Sequence, residues 1–295
     1  MSERTSSRWG LALISPWLLG FLIFTAGPML ASLYLSFCKY DLHTLSFVGA
    51  KNYDVLLHEP RFWKSLGNTA IYVLFAVPLG LTGSLLIAVL LNQKVKAIPI
   101  FRTLFYLPSL VPAVASSLLW LWILHPENGL LNTGLKALGM ASPPKWLQDP
   151  KTALTSLIIM SLWGIGGGRM LIFLAGLQGI SDELYEAAQL DGAKGWTCFR
   201  HVTLPMLSPT IFFNLILGII GSFQVFTSAY IMTGGGPEDS TLMYVLYLYN
   251  NAFREFKLGK ASAMAWILFI ILLGFTLVQF KNASKWVYYE GGDKE

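Results

Sequence analysis

The chain has 295 residues, of which 54% are hydrophobic and 13% charged, with a mean hydropathy of +0.56. Water-soluble domains carry roughly 25% charged residues, so the composition excludes an ordinary soluble enzyme and points to a membrane protein. The formal charge of +5 and pI near 9.1 would suit a nucleic-acid partner, but Lys and Arg are scattered through the loops with no basic face, and contact with the anionic lipid of a bilayer explains the excess more simply.

Roughly 20 apolar residues cross a bilayer core as a helix, and counting such runs sets the expected architecture. Residues 1–9 are polar, with Arg4 and Arg8, and 10–37 is a nearly unbroken apolar run. A signal peptide has an apolar core of roughly 7–15 residues. This run is about twice that and ends without a small-residue cleavage site, so it reads as span one. Residues 47–63, aromatic and mixed in charge, suit a segment lying along the membrane surface. Span two is expected at 68–91, span three at 103–124, span four at 153–177, span five at 207–232 and span six at 261–280. Between them, His125–Gly129 is a turn and Ser142–Trp146 a rigid connector. The prediction is an all-α membrane protein, a single transmembrane domain over 1–295 with six transmembrane helices and both termini on one side.

Between spans four and five runs a polar stretch from Ser181 to Pro209. Ser181 is a good N-cap, and Asp182 and Glu183 occupy a first turn, where the helix dipole favours them. Leu184, Ala187, Ala188 and Leu190 give small or apolar surface, and Gly192 stops the helix. A second helical piece is expected from Lys194 to about Val202, with the backbone broken again at Leu204-Pro205 and Pro209.

Within this stretch stand Glu186-Ala187-Ala188, Asp191-Gly192-Ala193, Phe199, Leu204-Pro205 and Pro209. At these intervals the pattern resembles the coupling loop of the integral-membrane permease subunits of ATP-driven, binding-protein-dependent uptake transporters. The resemblance implies that residues 181–206 form a cytoplasmic loop whose first helix docks on a separate ATPase subunit. Glu186, Ala187, Ala188, Asp191, Gly192, Ala193, Leu204 and Pro205 would be its coupling residues. Further likeness lies in Pro16-Trp17, Gly27-Pro28, the run Leu171–Gln178, Thr233–Pro237 with Ser240-Thr241, and Gly259 with Ala261-Ser262-Ala263. These resemble the carbohydrate-uptake class, in particular its first permease subunit. Implied partners are two ATPase subunits, a second homologous permease, an external solute-binding protein and the bilayer of a bacterial cell membrane. Lys260, where an aromatic commonly follows the glycine, and Arg169 after three glycines depart from the pattern.

Orientation rests on the same resemblance. Lys and Arg divide equally between the two sides of the six-span arrangement, although Lys94, Lys96 and Arg102 in a short acid-free connection favour the inside. A loop that meets a cytoplasmic ATPase places both termini in the cytoplasm. Cys38 then falls at the outer end of span one and Cys198 inside. A disulfide needs Cα atoms within roughly 7 Å and a bilayer core is roughly 30 Å thick, so they should not pair, and an external thiol reagent should reach Cys38 alone.

Two features inside the spans are candidates for a solute path. Arg169 is a charge in a span; it snorkels to a bilayer edge, pairs within the bundle, or donates hydrogen bonds to sugar hydroxyls or an acidic substituent. In span five, Asn214, Gly218, Gly221, Val225 and Ser228 repeat at helical spacing beside Gln224, a stripe suited to helix packing or to a path. Arg169, Asn214, Gln224 and Ser228 are the candidate path residues. His43, His58, His125 and His201 are dispersed without metal-ligand spacing, no cofactor is called for, and no nucleophile–base grouping stands out. No GxxxxGK[ST] occurs, so ATP hydrolysis is expected in another subunit. The competing readings are an ion-coupled secondary transporter, which should show repeats and buried carboxylates, and an ATP-driven permease for a non-sugar solute such as a glycerol phosphate.

Overall fold

The computed structural model describes residues 13–93 and 95–288. The start of span one at 10–12, Arg4, Arg8, Lys94, Lys294 and the placement of the termini lie outside the described residues. Among the described residues four helices are long and apolar enough to cross a membrane: Leu13–Ser36, Pro60–Leu91, Ser208–Met232 and Leu258–Ala283. Two bent pairs, Ile98–Leu110 with Ala113–Ile123 and Ala153–Gly164 with Gly168–Gln178, bring the count to six if each pair is one span.

In chain order the elements are α1 (Leu13–Ser36), the antiparallel hairpin β1 (Cys38–Tyr40) and β2 (Leu45–Phe47), α2 (Lys51–His58), α3 (Pro60–Leu91), α4 (Ile98–Tyr106), α5 (Ala113–Ile123) and α6 (Leu130–Ala137). Then follow α7 (Ala153–Ser161), α8 (Gly168–Gln178), α9 (Asp182–Leu190), α10 (Gly195–Cys198), α11 (Leu204–Met206), α12 (Ser208–Phe223), α13 (Thr227–Met232), α14 (Tyr244–Tyr249) and α15 (Leu258–Ala283). The chain forms two compact units, one drawn from Met1–Glu59 and Leu248–Ile271, the other from Pro60–Tyr247 and Leu272–Glu295.

In the first unit, side chains tie the end of α1 to the hairpin and α2. Asn52 Nδ2 donates to the carbonyls of Ser36 and Cys38, each at 2.8 Å, and Tyr53 donates its hydroxyl proton to Ser36 Oγ at 2.8 Å. Lys260, in the first turn of α15, pairs with Glu59 at 2.5 Å with side chains 11% and 27% exposed. That partner accounts for the departure at Lys260 and for α15 starting three residues before the expected 261. Cys38 is fully buried and both cysteines are free. The expected attack of an external reagent on Cys38 is therefore corrected, because burial hides the thiol whatever side it faces. The segment 47–63, aromatic and mixed in charge, folds as the end of β2, α2 and the first turn of α3.

In the second unit α3 begins at Pro60, eight residues before the expected 68. Its first charge has a partner: Arg61 donates two hydrogen bonds of 2.8 Å to the Asp239 carboxylate and lies 5.7 Å over the Tyr247 ring. Two turns on, Asn68 Nδ2 donates to the Asp239 carbonyl at 2.7 Å. The core packs Ile87, Ala88 and Leu91 of α3 against Met170, Phe173, Leu174 and Leu177 of α8, with Ile180 and Leu207 closing the base.

The helices of spans three, four and five are interrupted. The third turns through 94° because Pro112 holds Val111 extended, at φ −74° and ψ 125°. The fourth bends by 46° across the Gly164–Gly168 run, where a side chain at Gly166 would lie 2.2 Å from the Phe105 carbonyl oxygen. The fifth stops at Phe223 and restarts at Thr227.

Candidate functional site

The polar stretch between α8 and α12 folds as a capped rod. Ser181 is extended at φ −60° and ψ 134°, and its Oγ accepts the Glu183 N–H at 3.2 Å, closing the N-terminus of α9. Asp182 and Glu183 fill its first turn. At the other end Gly192 takes φ +82°. This lets the Ala193 N–H reach the Ala188 carbonyl at 2.9 Å and the Gly192 N–H reach the Gln189 carbonyl at 3.0 Å, the paired bonds of a Schellman stop. Glu186, Ala187, Asp191 and Gly192 are exposed, while Ala188 and Ala193 are half-buried. Leu190 is 90% exposed and Trp196 72%, so the rod presents apolar side chains outward beside its acids. Tyr185, on the inner side, hydrogen-bonds Thr203 across 3.0 Å. The sequence reading missed this strut, since a Tyr inside a polar helix carries no signal of its partner.

The expected backbone break at Leu204-Pro205 and Pro209 does not occur. From Gly195 the chain stays helical through a π-helical stretch, Phe199–Thr203, into α11 and then α12, with a single turn residue at Leu207. The Leu204 N–H bonds the Phe199 carbonyl five residues back. A wider turn of this kind relieves the clash that a proline ring makes with the preceding turn. The same device stands before Gly27-Pro28 in α1, where Gly27 bonds the Leu22 carbonyl. Leu204 is half-buried and Pro205 exposed.

The second feature lies where the three interrupted helices come together. A cavity of about 540 Å³ is lined by Ser109 and Ser116 around the 94° bend, by Trp163 and Gly164 at the break of the fourth span, and by Gln224, Thr227 and Ser228 at the break of the fifth. Its lining contains no Asp, Glu, Lys or Arg. The side chains of Ser116, Gln224, Thr227 and Ser228 make no hydrogen bond among the described residues, so they are available to a polar guest. Ser109, Ser116, Trp163 and Thr227 were not singled out from the sequence; the prolines flanking Ser109, Pro108 and Pro112, were the signal for them.

The four candidate path residues therefore separate. Gln224 and Ser228 line the cavity; Arg169 and Asn214 are not among its lining. Arg169 packs into a notch between α3 and α12: a Cβ at Gly80 would lie 2.7 Å from its Nη1, and one at Gly218 3.7 Å from its Nη2. Asn214 is fully buried and donates to the Thr210 carbonyl at 3.0 Å. The helical stripe of span five is thus divided: Asn214 and Gly218 are buried between helices, Gly221 is exposed, and Val225 and Ser228 line the cavity. Phe223 is packed on Phe275 with ring centres 5.6 Å apart, and Phe226 stacks on Tyr230 at 5.2 Å.

Residues 57–283 match the model of the family described as "binding-protein-dependent transport system inner membrane component". Over 99% of its length the chain is 45% identical to the probable ABC transporter permease protein YesP of Bacillus subtilis (strain 168), covering 96% of that protein. It is 35% identical to the lactose transport system permease protein LacF of Rhizobium radiobacter, over 94% of each. A crystal structure of a bacterial ABC transporter involved in the import of the acidic polysaccharide alginate has a similar fold. The TM-score is 0.85 at 22% identity, covering 96% of this chain and 98% of that one.

Proposed function

The chain belongs to the family of binding-protein-dependent transport system inner membrane components, and from that premise we propose that it is a permease subunit of an ATP-driven sugar importer. Each bent pair counts as one span, giving six, with the termini in the cytoplasm. ATPase subunits dock on α9 from the cytoplasm, a second permease subunit completes the pathway, and an external binding protein delivers the solute. The observation that carries the reading is the meeting of three interrupted spans at one charge-free cavity bearing hydroxyl and amide groups. Helix breaks at membrane depth belong where backbone lines a cavity, and transporters place solute sites there.

On this reading Gln224 and Ser228 exchange water for the hydroxyls of a sugar, and Trp163 offers a flat apolar face. Arg169 and Asn214 serve the packing of α3, α8 and α12. Movement of the ATPase pair reaches the cavity through a short mechanical chain. The capped α9 moves as one body, the Tyr185–Thr203 strut passes the motion to the π-helical stretch, and the nearly continuous helix carries it along α12 to the break at Gln224. Glu186 and Asp191 meet basic groups of the ATPase groove, with Ala187, Ala188 and Leu190 as apolar filling. Ala193 closes the stop behind Gly192, and Leu204 and Pro205 join the lever to α12.

Purification of the tagged complex from membrane in mild detergent, native and Glu186→Arg side by side, tests the arrangement. The native chain should bring an ATPase and a second permease, and the variant should lose the ATPase while keeping the permease. Recovery of the chain alone, with uptake surviving ATP depletion, would refute it.

A further inference from the structure

The unit formed by Met1–Glu59 and Leu248–Ile271 holds a cavity of about 580 Å³ lined by its own residues. Lys39 and Asp41 on its lining follow the end of α1 at Ser36, and Lys257 and Lys260 stand at the start of α15. Both helices are long and apolar enough to cross a membrane, and Trp266 Nε1 joins them by donating to Ser32 Oγ at 3.2 Å. The cavity therefore stands at one end of two candidate spans. That is the level at which a bilayer core gives way to headgroups.

Its floor is a close backbone contact. Gly259 lines the cavity, and a Cβ there would lie 1.9 Å from the Cys38 carbonyl oxygen. Among the described residues the lining holds four lysines and three acids. Two lysines are already matched, Lys257 by Glu255 at 2.6 Å and Lys260 by Glu59 at 2.5 Å. The third acid, Asp41, accepts the N–H and the hydroxyl of Thr44 on Oδ1 at 2.9 and 2.8 Å, and its charge acts on Lys39. That leaves Lys51, whose ammonium makes no hydrogen bond or ion pair among the described residues. The cradle thus has one positive charge in excess, and a phosphodiester carries one negative charge.

Apolar side chains surround this charged cradle. Val55 lines it and is exposed, as are Leu45 and Phe47 on β2. In α1 the most apolar stretch has no buried residue. A phospholipid meets all three features, with its phosphate at the lysines, its glycerol at the apolar rim and its acyl chains along the bare helix. An acidic side chain of a protein partner would satisfy the charge alone. We propose that this cavity binds the phosphodiester headgroup of a phospholipid, held by Lys51 and Lys39, with the acyl chains lying along α1. The site depends on α1 and α15 crossing the bilayer, and is independent of the solute carried.

The test purifies the tagged chain with its accompanying subunits in non-ionic detergent, with Val55→benzoylphenylalanine as a photoreactive probe at an exposed position. Short-chain phosphatidylglycerol is titrated in, and the lipid adduct on the probe peptide is followed by mass spectrometry. The native lysines should give a saturable adduct that inorganic phosphate does not displace. Lys39→Gln with Lys51→Gln should weaken the apparent affinity about tenfold. Lys145→Gln with Lys151→Gln, two exposed lysines outside this lining, should leave it unchanged. Absence of a saturable adduct overturns the site, as does equal affinity in both lysine pairs. Displacement by inorganic phosphate assigns the cradle to the free anion and overturns the lipid. In native membranes the same probe should carry a phospholipid; a cross-link to a protein partner in its place overturns the proposal too. Should the double variant fail to assemble, saturation and phosphate competition on the native lysines decide the matter.

Discussion

The turn at Gly192 gives the sharpest test of the lever, because structure isolates one physical effect there. Its φ is +82°, and nothing lies within 4 Å of where a Cβ would stand. A substitution meets no neighbour, so whatever it does comes through the backbone. For a residue with a Cβ the left-handed region costs roughly 1–2 kcal/mol; Asn tolerates it better, and a β-branched residue is a genuine outlier there. One to two kcal/mol is a factor of about 5–30 in the population of the closed stop. The strained chain escapes by fraying, giving up the bonds from Ala193 to Ala188 and from Gly192 to Gln189. The rod that the ATPase grips then loses its last turn. Gly192→Asn should therefore be mild, Gly192→Ala intermediate and Gly192→Val severe. The assay is titration of the ATPase subunit onto permease complexes in lipid discs, read as apparent affinity and as ATP hydrolysed per solute moved. Val should weaken docking by tenfold or more and raise ATP use per transport event. Native behaviour of Gly192→Val, or an Asn variant as damaged as Val, would refute the backbone argument.

Two further predictions concern packing. Glu59 and Lys260 form an ion pair whose side chains are only 27% and 11% exposed, so Lys260→Met should destabilise by about 3 kcal/mol by leaving a buried carboxylate unmatched, whereas Glu59→Leu with Lys260→Met should recover most of that loss; thermal unfolding in detergent measures both, and a double variant as unstable as the single would contradict the account. Gly80→Ala puts a Cβ 2.7 Å from Arg169 Nη1, which should cost about 1 kcal/mol in the native background and almost nothing beside Arg169→Ala; additive losses in this cycle would show that the guanidinium does not fill the notch.

Legibility in the sequence followed the range of the interactions. The coupling rod depends on bonds between residues at most five apart, so Ser181, the acids after it and Gly192 announced its start and stop from composition alone. Span existence was equally local, since hydrophobic runs declare themselves. Span starts were not. Arg61 and Lys64 precede the expected start of span two at 68, yet Arg61 belongs to α3, and Asp239, distant in sequence, receives it. Lys260 read as a departure until Glu59 supplied its partner. The continuous helix through Pro205 was hidden for another reason. A proline normally ends a helix, and only the i→i−5 bond of the preceding residue shows how this one is absorbed.

The breaks in the spans explain why polar residues in this chain are poor guides when read one helix at a time. A helix interrupted within a membrane leaves backbone groups that lipid cannot satisfy, so each break needs partners from elsewhere in the fold. Ser84 is fully buried in the middle of α3, where periodicity alone would assign it to helix contact. Its Oγ instead donates to the Ile165 carbonyl at 2.6 Å, one of the groups freed at the break in the fourth span. The bare backbone at Gly166 closes on the Phe105 carbonyl of the third span. Each of these two contacts fixes the position of one interrupted helix against another, whereas Ser116, Gln224, Thr227 and Ser228, whose side chains make no hydrogen bond among the described residues, line the cavity. Polarity in these spans thus has two physical duties, closing backbone on the packed side and receiving solute on the open side. Only the three-dimensional meeting of the breaks separates one from the other.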